Sequence, residues 1–131
     1  MKKIQILINI QGSIEAATIE FERRQPTLIF TMKNGINRAY TSYDLYDCLG
    51  MLRADFPEIK ILCKGAKLNV YPSRMSSQMS KGLVAYELKL GHPSEEEDIV
   101  RIFDYDDKNI TNNIEEQKNF YLKWIESLAK P

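Results

Sequence analysis

Histidine, cysteine and tryptophan are scarce in this 131-residue chain, which has one, two and one of them respectively. The single histidine, His92, stands between Gly91 and Pro93 in a turn-like context and reads first as a solvated loop residue, against the general-base role histidine often fills. Cys48 and Cys63 are too few for a disulfide framework and lack metal-ligand spacing, so a reducing cytoplasm is the expected compartment. No apolar run approaches the ~18–20 residues that a membrane-spanning helix needs. Lys2 and Lys3 precede an apolar stretch, but Gln5 and Asn9 interrupt it and no small-residue cleavage site follows; secretion is not expected. The sequon Asn109-Ile110-Thr111 therefore has no secretory context. Gly65, Gly82 and Gly91 make no phosphate-cradling pattern, and no zinc or dinucleotide motif occurs. Charge of one sign is lacking too: 18 basic side chains meet 18 acidic ones, which argues against a protein whose affinity comes from neutralising nucleic-acid phosphates.

What is present fits one folded unit. Hydrophobic residues at 44% and charged residues at 27% place the chain near the globular average, away from the composition that stays disordered. A length near the ~100–150 residues typical of domains, with no repeat and no linker, predicts a single domain over 1–131. The zero net charge is uneven. Residues 1–33 carry +2, residues 34–92 carry +3 and residues 93–131 carry −5, so an acidic C-terminal third follows a weakly basic body.

Alternation and turn signals predict an α+β fold: a mainly antiparallel β-sheet packed against two principal helices, about 41–56 and 113–129, plus a short helical segment near 73–81. Ile4, Ile6, Ile8 and Ile10 share one face of a strand; Ala17–Phe21 and Thr27–Met32 follow, closed by the turn dipeptide Asn34-Gly35, as a three-stranded meander. Thr41-Ser42-Tyr43-Asp44 resembles a capping box, Leu45, Leu49, Leu52 and Phe56 form one stripe, and Pro57 ends the helix. Further strands are expected at Ile59–Cys63, Lys67–Tyr71, Leu83–Leu90 and Ile99–Phe103. Asn113-Ile114-Glu115-Glu116 starts the last helix, with Ile114, Tyr121, Ile125 and Leu128 on one face and Trp124 beside it.

Candidate chemistry lies in the carboxylates, because both cysteines fall at core positions, where a thiol is inert. Asp44 and Asp47 are three apart on the first helix and can share a face, although solvated helix residues are the plainer reading. The stretch from Asp104 to Glu115 has acids at calcium-loop positions 1, 3 and 12, but Lys108 stands at a ligand position and Asn109 where the sharp turn wants glycine. What remains is an acidic surface: Glu95, Glu96, Glu97 and Asp98, then Asp104, Asp106 and Asp107 around Tyr105. It reads either as a solubilising edge or as a docking surface for a basic partner, with tyrosine as the desolvated anchor.

The string Cys63-Lys64-Gly65-Ala66-Lys67-Leu68-Asn69-Val70-Tyr71-Pro72-Ser73-Arg74-Met75 is followed by Met79, Gly82, Ala85-Tyr86, Leu88 and Gly91. Then come Val100, Ile102-Phe103-Asp104, Glu116-Gln117, Phe120, Trp124 and Ser127-Leu128. Over about residues 40–130 this ordered series resembles a family of small bacterial immunity proteins associated with contact-dependent growth inhibition and related polymorphic toxins. The resemblance implies a cytoplasmic antitoxin that binds the C-terminal toxin domain of a delivered effector, often a nuclease, and blocks it without catalysis or cofactor. It identifies neither the toxin nor the interface and supplies no catalytic residues; the eight acidic-surface residues named above are placed from charge. The expected partner is a basic cognate toxin domain, with no direct contact to nucleic acid or membrane. The competing readings are a small metal-dependent hydrolase using Asp104, Asp106 and Glu115, and a non-catalytic scaffold module.

Overall fold

A computed structural model describes residues 1–129. Lys2–Ile10 forms β1 and Ser13–Glu22 forms β2, joined through Gln11 and Gly12, both at positive φ, as a two-residue hairpin requires. Asn9 Oδ1 accepts from the Gly12 amide at 2.7 Å and braces the turn. Thr27–Met32 is β3. A fourth strand, β4 at Asn37–Thr41, extends the predicted meander; it was hidden because Tyr40 is its one buried residue. Leu45–Asp55 is α1 and Ile59–Ile61 is β5, which pairs antiparallel with β1. The sheet order is therefore β4-β3-β2-β1-β5.

This order explains α1. The chain leaves one edge strand and must return at the other, and four strand gaps of about 4.8 Å span about 19 Å. Eleven helical residues at a 1.5 Å rise cover about 16 Å, so α1 fits across the sheet. Its buried Leu45, Cys48, Leu49 and Leu52 lie against a layer in which Ile4, Ile19 and Phe30 form one cross-strand row and Phe21, Leu28 and Tyr40 another. Phe56 packs its ring 5.6 Å from that of Phe30. The helix is capped by Asp44 and not by Thr41, because Thr41 is still paired with Thr27 in β4 while Asp44 Oδ1 accepts from the Asp47 amide at 2.7 Å.

A second sheet, ordered β6-β7-β8, is built from Val70–Tyr71, Val84–Glu87 and Ile99–Arg101. These strands are shorter than the alternation predicted. Between β5 and β6 the chain makes a 3-10 turn at Lys64–Ala66, where Lys64-Gly65 predicts a turn. A Cβ at Gly65 would stand 2.7 Å from Leu49 Cδ2 and 2.8 Å from Ile102 Cβ, so the turn is wedged where only glycine fits. The short segment near 73–81 is α2, Arg74–Met79, capped by Ser73.

The last helix, α3 at Ile114–Leu128, has Asn113 as its cap, accepting from the Glu116 amide. Its packed face differs from the expected one: Gln117 and Trp124 are buried, whereas Ile125 and Leu128 are exposed. The rotation has a polar cause. Arg53 of α1 is 1% exposed, and its Nη1 donates to Gln117 Oε1 at 2.9 Å while Nη2 donates to the Thr111 carbonyl. Gln117 Nε2 in turn donates to the carbonyls of Lys67 at 2.7 Å and Gly65 at 3.1 Å. Ile114 packs beside Gly50, and Trp124 Nε1 donates to the His92 carbonyl at 2.9 Å.

Replacing Gln117 by Leu removes Arg53's side-chain partner and leaves the Gly65 carbonyl unpaired, while the Lys67 carbonyl keeps only the Val70 amide, so it is expected to lower stability by about 3 kcal/mol. Urea denaturation monitored by Trp124 fluorescence checks this, and a loss under about 1 kcal/mol, no more than one ordinary hydrogen bond, would remove the network from this role.

Candidate partner-binding surface

The eight acidic-surface residues stand at the two ends of β8, the edge strand of the second sheet. On its N-terminal side Glu96–Asp98 form a 3-10 turn closed by the Glu95 amide donating to Asp98 Oδ2 at 3.0 Å. That bond employs Asp98 and leaves Glu95, Glu96 and Glu97 projecting into solvent. Beyond β8 the chain runs antiparallel to residues 62–64: the Lys64 amide donates to the Asp104 carbonyl at 2.8 Å and the Asp106 amide to the Leu62 carbonyl at 3.3 Å. Extended backbone sends alternate side chains to opposite sides. Tyr105, 55% exposed, borders a hollow of about 280 Å³ with Gln5, Leu7 and Phe103, and a second of about 380 Å³ reaching Lys2 and Arg101.

Asp106 is the acid of this set that forms ion pairs among the described residues. Its Oδ2 lies 2.8 Å from Lys67 Nζ and 3.2 Å from Lys64 Nζ, and Lys67 also reaches Glu87 at 2.8 Å. Burial alone raises the Asp106 carboxyl, but the bonds from Lys67, the Lys108 amide and Lys64 outweigh it and hold the group well below the usual carboxylate range. Asp104 and Asp107 stay exposed and, like Glu95, Glu96 and Glu97, make no ion pair among the described residues. The register also places Tyr71, Tyr86 and Ile99 in one row across the second sheet, with Ile99 next to the acidic turn.

Other sequence candidates have structural occupations. Burial pushes the thiol of Cys48 up to about 11 and that of Cys63 up to about 12, so neither is a thiolate at neutral pH. Asp44, buried, accepts from the Ser77 hydroxyl at 2.6 Å as well as capping α1, and burial raises its carboxyl above the usual range. Asp47 accepts from Ser42 Oγ at 2.5 Å. His92 is exposed and contributes its carbonyl to Trp124. Asn109 adopts the positive φ of 59° that the calcium-loop comparison reserved for glycine. Even so, no three histidine, cysteine or carboxylate side chains among the described residues converge to hold a metal ion, and Asp104, Asp106 and Glu115 are not brought together as one.

A groove of about 890 Å³ between the start of α1, α2 and α3 escaped the sequence reading, because its tyrosines, Tyr43, Tyr46, Tyr71 and Tyr121, come from three distant segments. Compared with known proteins, the chain matches no family model and no curated protein. No helix among the described residues is long and apolar enough to cross a membrane.

A carboxyl held below its unfolded value contributes stability that is present above about pH 4 and lost as pH falls through the folded value. Asp106→Asn is therefore expected to destabilise the protein at pH 7 and to flatten the acid limb of its stability profile below pH 4. Urea midpoints measured between pH 2 and pH 7 check this; an unchanged acid limb would contradict the assigned ion pairs.

Proposed function

We propose that this chain is an immunity-type binder: a non-catalytic inhibitor that lays its acidic face over the basic cleft of a cognate toxin domain, expected to be a nuclease. The supporting observation is the disposition of Glu95, Glu96, Glu97, Asp104 and Asp107. These carboxylates flank an edge strand from both ends and make no ion pair among the described residues, and Asp104 and Asp107 stand beside the half-exposed Tyr105. The backbones of both acidic segments are braced before binding, which limits the ordering cost, and the tyrosine beside Asp104 and Asp107 supplies rigid contact area. The ordered resemblance over residues 40–130 gives the same reading from sequence.

Inhibition follows from occupation. A nuclease cleft attracts phosphates with Lys and Arg, and an array of carboxylates satisfies those cations in place of substrate. Tyr105 fills part of the cleft that a base or sugar otherwise takes. The partner's cations do the recognising, so association is steered by charge and screened by salt with a Debye length of about 10 Å at 0.1 M.

Stopped-flow association with the toxin domain encoded beside this chain tests the reading. Replacing Glu96, Glu97, Asp104 and Asp107 by Lys is expected to slow association by about tenfold or more at low salt, with less effect at high salt. Association at the wild-type rate, or no complex at low salt, would contradict it.

A further inference from the structure

We propose that the tyrosine-lined groove between α1, α2 and α3 is a second recognition site, which takes an acidic segment of a partner protein through an apolar or aromatic anchor. This goes beyond the immunity reading and does not depend on it, since the groove calls for a partner of the opposite charge to that of the acidic face.

The groove is held open by the fold. Tyr71 of β6 stacks on Tyr121 of α3 with centroids 4.3 Å apart and planes 13° apart, and Tyr46 of α1 meets Tyr71 edge-on at 5.6 Å. The Tyr46 hydroxyl is occupied, donating to the Val70 carbonyl at 2.7 Å. Gly82, at φ +77°, lets the chain pass so close to Asp44 that a Cβ there would stand 2.9 Å from its side chain and from the Tyr46 amide. Leu45 N–H donates to the Lys81 carbonyl at 2.7 Å across the same contact. The walls are thus set before any ligand arrives, which limits the ordering cost of binding.

Its surface chemistry selects the occupant. Tyr43 is 73% exposed at the rim. Tyrosine and arginine are among the side chains enriched where proteins meet. Three cations border the groove, Arg74, Lys81 and Lys118, and none has a carboxylate within 4 Å among the described residues. The two carboxylates inside are already bonded: Asp44 by Ser77 and the Asp47 amide, Asp47 by Ser42. Neutral donors do not cancel the charge of those two carboxylates, so the lining sets three cations against two anions and its surplus is one positive charge, with Arg74 and Lys118 exposed, while the rings offer apolar contact. An acidic peptide with an apolar residue meets both; a basic one faces three cations.

Amide NMR titration of the full chain tests this with three probes: a short peptide alternating Glu and Phe, the same peptide with Lys for Glu, and adenosine monophosphate, each raised to about 2 mM to detect millimolar affinity. The Glu/Phe peptide is expected to shift the amides of Tyr43, Ser77, Lys118 and Tyr121, with affinity about fivefold or more above that of the Lys/Phe peptide. Arg74→Glu combined with Lys118→Glu, both exposed, is expected to abolish that preference. Should that variant not fold, Tyr43→Ser tests the anchor and is expected to weaken the peptide-induced shifts. Equal response to the two peptides, no shift at these amides, the same shifts with adenosine monophosphate and none with the acidic peptide, or undiminished binding by the variants would each overturn the proposal. Because none of these readouts involves the toxin domain, failure here leaves the acidic-face reading standing, and the reverse holds.

Discussion

Everything on the helical side of this fold depends on one buried guanidinium. Arg53 sits on the inner side of α1, where among the described residues no carboxylate pairs with it and its Nε has no partner; it is held instead by the Gln117 amide and the Thr111 carbonyl. Burial lowers its pKa to about 10, which still leaves it charged at neutral pH. A charge removed from water costs several kcal/mol unless dipoles replace the lost solvation. The structure supplies those dipoles by drawing α3 and the 64–67 turn against α1, since Gln117 bonds Arg53 with its oxygen and the turn with its nitrogen. The same bonds fix how α3 is rotated, where Tyr121 stacks, and where residues 62–64 lie to receive the 104–106 stretch.

From that clamp the surface follows. Lys64 and Lys67 come from the clamped turn, and both reach Asp106. The segment that carries Tyr105 is thus bonded through its backbone to residues 62–64 and through its side chain to the turn beyond them. A rigid core element and an exposed acidic segment are joined by a few polar contacts. This coupling keeps Asp104, Tyr105 and Asp107 in one disposition, and a binder without a preformed surface would have to order these groups on association.

The β-meander, α1 and the cap of α3 were legible in the sequence because each rests on local signals: alternation of isoleucines, Pro57 as a stop, Asn113 ahead of Glu116. Less legible was β4, since an edge strand with one inward residue carries almost no alternation. The rotation of α3 could not be read either. An apolar stripe through Ile125 and Leu128 predicts the wrong face when the decisive contact is a glutamine meeting an arginine 64 residues away, and neither residue is apolar. The acidic surface was visible as composition, but Asp106 and Asp98 look identical to their neighbours until the partners Lys67 and the Glu95 amide are placed. The tyrosine groove shows the same limit, because residues 43, 71 and 121 share a site only after α1, β6 and α3 converge.

The central claim is that the segments flanking β8 form the surface that covers a basic toxin cleft. Hydrogen–deuterium exchange on a complex with the proposed cognate toxin domain tests it most directly. The prediction is slowed exchange at residues 95–99 and 104–108, with the outer strand β4 unchanged. Protection confined to β4, or to α3 alone, with none beside β8, would contradict it.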